Sequence, residues 1–163
     1  MAGPPKLRSA GKRPTAPFQI RPARRADAEA LARIEQASFA DPWGERDFAT
    51  CLERGLPCFV AEARGHVEGY VIANQAADEA EILNLGVLPE RRRHGIGRAL
   101  VTALLAALAI RGAKAVFLEV RASNQAAQAL YREFRFLPVG RRSRYYQHPT
   151  EDAVILRAAI APA

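Results

Sequence analysis

Two cysteines and three histidines are all that these 163 residues offer a metal or a disulfide. Cys51 and Cys58 are spaced neither as a CxxC pair nor as half of a zinc site, and His66, His94 and His148 stand far apart. The sequence therefore reads as metal-free, with both thiols reduced in a cytoplasmic protein. Long apolar runs are missing as well. The best candidate, Ala99–Ile110, is interrupted by Thr102 and falls short of the roughly 18 residues of a membrane span. Acidic residues are absent before Asp27, a stretch that holds seven basic ones: Lys6, Arg8, Lys12, Arg13, Arg21, Arg24 and Arg25. From Asp27 onward 17 basic residues face 17 acidic ones, so the net charge of +7 sits ahead of a neutral remainder.

Large apolar residues are scarce in Met1–Pro17, which carries four prolines and cannot bury enough surface to offset its chain entropy. Residues 1–17 are expected to be a disordered basic tail, leaving one domain over 18–163. Such a tail serves as a solvated leader or as an electrostatic adhesive for RNA-rich particles such as ribosomes. A transit peptide fits less well, because the prolines interrupt any amphipathic helix. No direct nucleic-acid contact is assigned.

What is present is concentrated between Ala80 and Gly112. Ala80–Val87 reads as an apolar strand that stops before Pro89, and a basic loop with Gly95 and Gly97 follows. Ile96–Arg111 then reads as a helix with Ile96, Leu100, Leu104 and Leu108 at spacing four, ended by Gly112. N–H groups at a helix start have no internal partner and lie at the positive end of the dipole, so the junction suits a phosphate. The turn closes on Gly97-Arg98-Ala99, not on the Gly-Lys-Ser/Thr of a nucleotide-binding loop, and Leu100 stands where a dinucleotide fingerprint needs its third glycine. What remains, Arg92-x-x-Gly95-x-Gly97 preceded by Val87-x-Pro89, resembles the acetyl-coenzyme A signature of the GCN-five-related N-acetyltransferases. The resemblance implies that acetyl-CoA is the co-substrate, gripped at its pyrophosphate by Arg92, Arg93, His94, Gly95, Ile96, Gly97 and Arg98.

Along the chain the pattern predicts strands at Phe18–Ile20, Phe59–Ala63, Val67–Ala73, Ala80–Val87, Ala115–Val120, Val139–Gln147 and Glu151–Ile160. Helices are expected at Asp27–Ser38, Glu45–Arg54, Ile96–Arg111 and Asn124–Phe134. The order β-α-α-β-β-β-α-β-α-β-β implies an α/β fold with a central mixed sheet flanked by helices. Ala80–Val120 must cross over in parallel with right-handed topology. That order is also similar to the whole fold of the acetyltransferase family.

Two side chains stand out as candidates for chemistry. Ala115–Val120 is apolar except for Glu119 near its carboxyl end, and a carboxylate there costs several kcal/mol unless paired, hydrated or employed. It is either the partner of Arg121 or of a loop arginine, or a general base. Asn124 and Tyr131 lie seven residues apart, about two helical turns, with small residues between them. Tyr131 is either a core tyrosine with its hydroxyl on main chain or a proton donor beside a thiolate.

The strings Leu118-Glu119-Val120-Arg121-Ala122-Ser123-Asn124 and Ala129-Leu130-Tyr131 resemble the RimI branch of that family. The likeness extends to Pro42-Trp43 with Phe48, Glu81–Val87, Arg144-Tyr145-Tyr146 and Glu151-Asp152-Ala153. It implies Glu119 as general base, Tyr131 as general acid and Asn124 as a cofactor contact. Leu85 and Val87 would lie along the thioester, with a Val87 amide on its carbonyl. Its acceptor would be the N-terminal α-amine of a ribosomal protein, and Trp43, Tyr145 and Tyr146 are candidates for holding it, or for packing. An α-amine, pKa about 7.7–8.0, is roughly a tenth or more neutral at pH 7, whereas lysine near 10.4 is below one part in a thousand. A lone carboxylate therefore suits a terminal amine better than lysine or a small-molecule amine. A non-catalytic acetyl-CoA-binding module would have no use for both Glu119 and Tyr131. One departure stands out: Arg135 occupies a position where the family usually has glycine, and costs about 1 kcal/mol if φ there is positive.

Overall fold

Seven strands and four helices form wherever the sequence alternates or repeats at helical spacing, in a computed structural model that describes residues 16–163. Residues 1–15 of the expected tail lie outside the described residues. At Ala16 the chain is already anchored, its carbonyl accepting from Arg91 Nη2 at 3.0 Å. The strands are β1 (Gln19–Pro22), β2 (Cys58–Ala63), β3 (His66–Ala76), β4 (Glu79–Val87), β5 (Ala115–Arg121), β6 (Leu137–Tyr146) and β7 (Glu151–Ala159). The helices are α1 (Ala28–Ser38), α2 (Glu45–Glu53), α3 (Ile96–Ile110) and α4 (Gln125–Glu133). Each expected element is found, with boundaries moved by no more than three residues. Two single 3₁₀ turns, Arg25–Asp27 and Pro89–Arg91, carry too few residues to show a period and were not foreseen.

All strands join one sheet in the order β1-β2-β3-β4-β5-β7-β6. Every neighbouring pair is antiparallel except β4–β5, which is parallel and is connected through α3. β2 and β3 are joined by Arg64-Gly65, with φ of 52° and 77°, and Ala63 pairs with His66 across them. Both central residues in the left-handed region give the tight turn whose twist matches flanking strands.

Alternation sends successive β3 residues to opposite sides. Tyr70 and Ile72 pack with Leu31, Ile34 and Phe48 under α1 and α2. Val71 and Ala73 pack with Val116, Leu118, Leu156 and the α3 stripe on the other side. Ile96, Leu100, Leu104 and Leu108 are at most 1% exposed, as the spacing of four predicts, and burying each contributes about 1.5–3 kcal/mol. Close packing explains Gly86: a Cβ there would sit 2.7 Å from the Tyr70 ring. At the far end β6 is an edge strand, exposed along all but its last residue. No helix among the described residues is long and apolar enough to cross a membrane.

Arg135 follows α4 with φ 62°, so the position does need left-handed backbone. Arg135→Gly should therefore stabilise the fold by about 0.5–1 kcal/mol, the relief of strain exceeding glycine's extra unfolded-state entropy. In thermal unfolding this appears as a rise of about 1–4 °C in Tm at this chain length. An unchanged or lowered Tm would mean that Arg135 is not strained.

Candidate active site

A register fault opens the sheet. β4 pairs with β5 from Glu79–Ala115 to Ile82–Leu118 and no further. At the same point Ile72 of β3 faces Asn84 while Ala73 faces Ile82, leaving Leu83 as an extra residue in β4. Such a bulge bends its strand and re-aims the side chains beyond it. Past it, Leu83–Val87 stay bonded to β3 but part from β5, and a cleft of about 540 Å³ forms between the two strands.

The cleft gathers most of the residues singled out from the sequence. Leu85, Glu119, Asn124 and Tyr131 line it from the strand and helix side. Trp43, Tyr145 and Tyr146 line it from the α1–α2 loop and from the β6 end. Val87 and the glycine loop are not among the lining residues; they lie at the C-terminal end of β4 and the start of α3, respectively.

Glu119 has neither of the partners expected for it. Arg121 pairs with Glu151 instead, at 3.3 Å, and the loop arginines turn elsewhere. Its partner is Arg142 of β6, whose Nε lies 2.5 Å from Glu119 Oε1. The Tyr145 phenol is held above its usual pKa first by its hydrogen bond to Glu119, then by burial. Arg142 also lies over the Tyr145 ring at 5.6 Å. Glu119, Arg142 and Tyr145 thus brace one another. Behind them, burial together with Glu119 pushes the Tyr146 hydroxyl up to about 12.

Tyr131 is 5% exposed and stacks edge-on against Phe136. Its hydroxyl makes no hydrogen bond to main chain among the described residues, so the expectation of a tied core tyrosine is not met. Burial raises its pKa well above the usual value. Asn124 caps α4, accepting from Ala127 N at 3.0 Å, which satisfies one of the donors left free at the helix start. Trp43 packs on Phe48 at 5.5 Å between centroids.

In the glycine loop, part of the positive charge is met within the protein. Arg91 pairs with Glu68, Arg98 with Glu133, and Arg92 donates to Val87 O at 3.1 Å and to Ser38 Oγ at 3.3 Å. Arg92, Arg93 and His94 make no ion pair among the described residues. The main chain contributes as well. Gly95 caps α3 with φ 81° and Arg93 has φ 64°. Among the described residues no N–H from Arg93 to Arg98 bonds a carbonyl outside the helix, the first to do so being Ala99 to Gly95 O. Consecutive free N–H groups at a helix start make an anion cradle, which fits a pyrophosphate.

Three groups at the site escaped sequence reasoning: Glu35, Asn84 and Arg142. Glu35 is 1% exposed and accepts from the Tyr70 hydroxyl at 2.7 Å and from the Asn84 amide. Its position was a signal, since it follows Leu31 by four and Ile34 by one on the buried stripe of α1. At the other end of the cleft Asp41 of the α1–α2 loop meets His148 of the β6–β7 turn at 3.1 Å.

Comparison with known proteins places these features in a family. The model of the acetyltransferase (GNAT) family matches residues 28–136. The chain is 38% identical over 139 residues to the [ribosomal protein bS18]-alanine N-acetyltransferase of Escherichia coli (strain K12), covering 83% of this chain and 93% of that one. It is 37% identical over 150 residues to the N-alpha-acetyltransferase RimI of Mycobacterium tuberculosis, covering 88% and 93%. The crystal structure of the ribosomal-protein-S18-alanine N-acetyltransferase from Escherichia coli superposes with a TM-score of 0.83 at 36% identity, over 90% of this chain and 96% of that one.

A carboxylate in the anion cradle should abolish its use. At Gly97 a Cβ would touch only the flexible end of Leu130, at 3.3 Å, so Gly97→Glu can fold while its charge repels a phosphate. Calorimetry on the folded variant should show affinity for acetyl-coenzyme A reduced beyond detection. Unchanged affinity would place the ligand elsewhere.

Proposed function

The chain belongs to the acetyltransferase (GNAT) family, and on that premise we propose that it acetylates the N-terminal α-amine of a ribosomal protein, with alanine as the acceptor residue. The observation that carries this reading is the cleft itself. It brings Glu119, Tyr131, Trp43, Tyr145 and Tyr146 to one opening, in a chain similar over most of its length to enzymes named for that acceptor.

Acetyl-coenzyme A supplies a thioester carbonyl and a thiolate leaving group. The main-chain N–H groups of Arg93–Arg98 hold its pyrophosphate, and Arg92 fixes the preceding turn through Val87 O. Strand β4 beyond Ile82, released from β5, turns main-chain donors toward the developing oxyanion, and Val87 is assigned that role. Glu119 accepts a proton from the attacking nitrogen, with Arg142 and Tyr145 fixing its carboxylate. Tyr131 returns a proton to sulfur. Burial keeps that phenol protonated but makes it a weak acid, so the transfer must accompany C–S cleavage rather than precede it. Asn124 orders the start of α4 and faces the cofactor arm.

Trp43, Tyr145 and Tyr146 surround the acceptor's first residues. The working compartment is the cytoplasm, where ribosomal proteins are made. There both thiols stay protonated, Cys58 being pushed up to about 12 by burial and Cys51 raised by the same cause. Lysine acceptors are disfavoured because a single carboxylate must then remove a proton from an amine of pKa near 10.4.

Mass spectrometry of acceptor peptides incubated with acetyl-coenzyme A tests the assignment. A free N-terminal alanine peptide should gain one acetyl group on its α-amine, and a blocked peptide carrying lysine should gain none. The reverse pattern would assign the enzyme to side-chain amines. Within the same assay, Glu119→Gln and Tyr131→Phe should each lower turnover by about 10²–10⁴, the usual worth of a general base or acid, with cofactor affinity little changed. Near-normal turnover in both folded variants would remove them from the mechanism.

A further inference from the structure

Among the carboxylates lining the cleft, Glu35 is buried without a cation. Glu119 has Arg142, while Asp41 and Glu81 are exposed to water. Glu35 is 1% exposed, and no lysine, arginine or histidine among the described residues pairs with it. Both hydrogen bonds it accepts, from Tyr70 Oη and Asn84 Nδ2, fall on Oε1. Oε2 has no partner among the described residues, although the side chain lines the cleft. A carboxylate held this way costs several kcal/mol, and burial raises its pKa.

Acetylating an α-ammonium takes two protons from one nitrogen. The first must leave before attack, because only the neutral amine has a lone pair. The second leaves as the N–C bond forms and the C–S bond breaks; an acid protonates the sulfur, and one proton in all is released to water. A single carboxylate cannot hold both.

We propose that Glu35 is a second proton acceptor of this site: its Oε2 receives the acceptor's α-ammonium and takes the first proton, and Glu119 takes the second. The proposal rests on α-amine acetylation as argued above. Transferring the first proton turns two opposite charges in a buried place into two neutral groups, the direction that burial favours. The resulting carboxylic acid keeps its bonds to Tyr70 and Asn84, and returns its proton to water when product leaves. Behind Glu35, the Tyr70 phenol and the nearby Cys58 thiol both stay protonated, the first raised mainly by burial and the second pushed up to about 12. One turn along α1, Ser38 carries the Arg92 guanidinium. Also lining the cleft are Asp41, Glu81, Glu119 and Arg121, with the phenols of Tyr131, Tyr145 and Tyr146.

The test is the pH profile of kcat/KM on an N-terminal alanine peptide. Wild-type enzyme strips the proton within the site, so its profile should be flat from pH 7 to pH 9. Glu35→Gln keeps the hydrogen-bonding shape and removes a buried charge, and its Tm reports folding. That variant must draw neutral amine from solution, so it should be about tenfold slower at pH 7 and converge on wild type by pH 9, following the amine's pKa of about 7.7–8.0. Glu119→Gln should stay slow throughout. A loss of equal size at every pH would make Glu35 only the support of Asn84 and would overturn the proposal, as would an unchanged profile. Should the variant not fold, a wild-type rate that climbs tenfold between pH 7 and pH 9 overturns it equally. Wild-type enzyme that modifies lysine and leaves α-amines alone would instead overturn the function on which the proposal rests.

Discussion

The parallel pairing of β4 with β5 lasts four residue pairs and then stops. Strands held on both sides cannot open, so a substrate cleft inside a sheet requires one strand to change partners. Here the extra residue at Leu83 does this. β3 keeps hold of β4, β7 keeps hold of β5, and only the ladder between them is given up. The free main-chain groups that result would be costly in a core. In a cleft they become donors and acceptors for a ligand. The crossover connection α3, which a parallel pair demands, delivers its N-terminus to the same end. The unbonded N–H groups at the start of α3 and the strand opening are consequences of one topological choice.

The side chains around that opening are sorted by how their charges are met. Glu119 reaches a guanidinium on β6, two positions along the sheet, which fixes its carboxylate. Glu35 meets only neutral donors among the described residues. The three tyrosines stay protonated, held there mainly by burial at Tyr131 and Tyr146 and by Glu119 at Tyr145. Two carboxyl groups with different compensation can do different work at the same pH.

Much of the fold was legible because it rests on local rules. Spacing of four marked α3, and a short apolar run marked β5. Glu119 could be singled out as a polar residue in an apolar strand, but its partner could not. Arg142 lies 23 residues away on a strand that is not its neighbour, and no periodicity connects them. Glu35 illustrates the opposite failure: it sat on an apolar stripe in plain view, and a helical pattern tolerates one glutamate without complaint. Only the fold shows that Asn84, 49 residues later, comes to meet it. The pairings of the loop arginines were hidden in a third way: Arg91 and Arg98 meet Glu68 and Glu133, which lie 23 and 35 residues away and share no local pattern with them.

The outer edge of β6 bears on how the molecule behaves in company. An unpaired strand edge is a template for aggregation, and natural sheets blunt it with charge, proline and bulges. This one has exposed Leu137 and Val139 at its start, 64% and 56% exposed, which alone would invite edge-to-edge stacking. Pro138 interrupts the donor row between them, register shifts break the ladder to β7 at two places, and Arg141, Arg142 and Arg144 follow. Two copies approaching along this edge would bring like charges together on a kinked backbone. The same arginines that brace Glu119 and the hairpin thus also act as gatekeepers, keeping the sheet finite at seven strands.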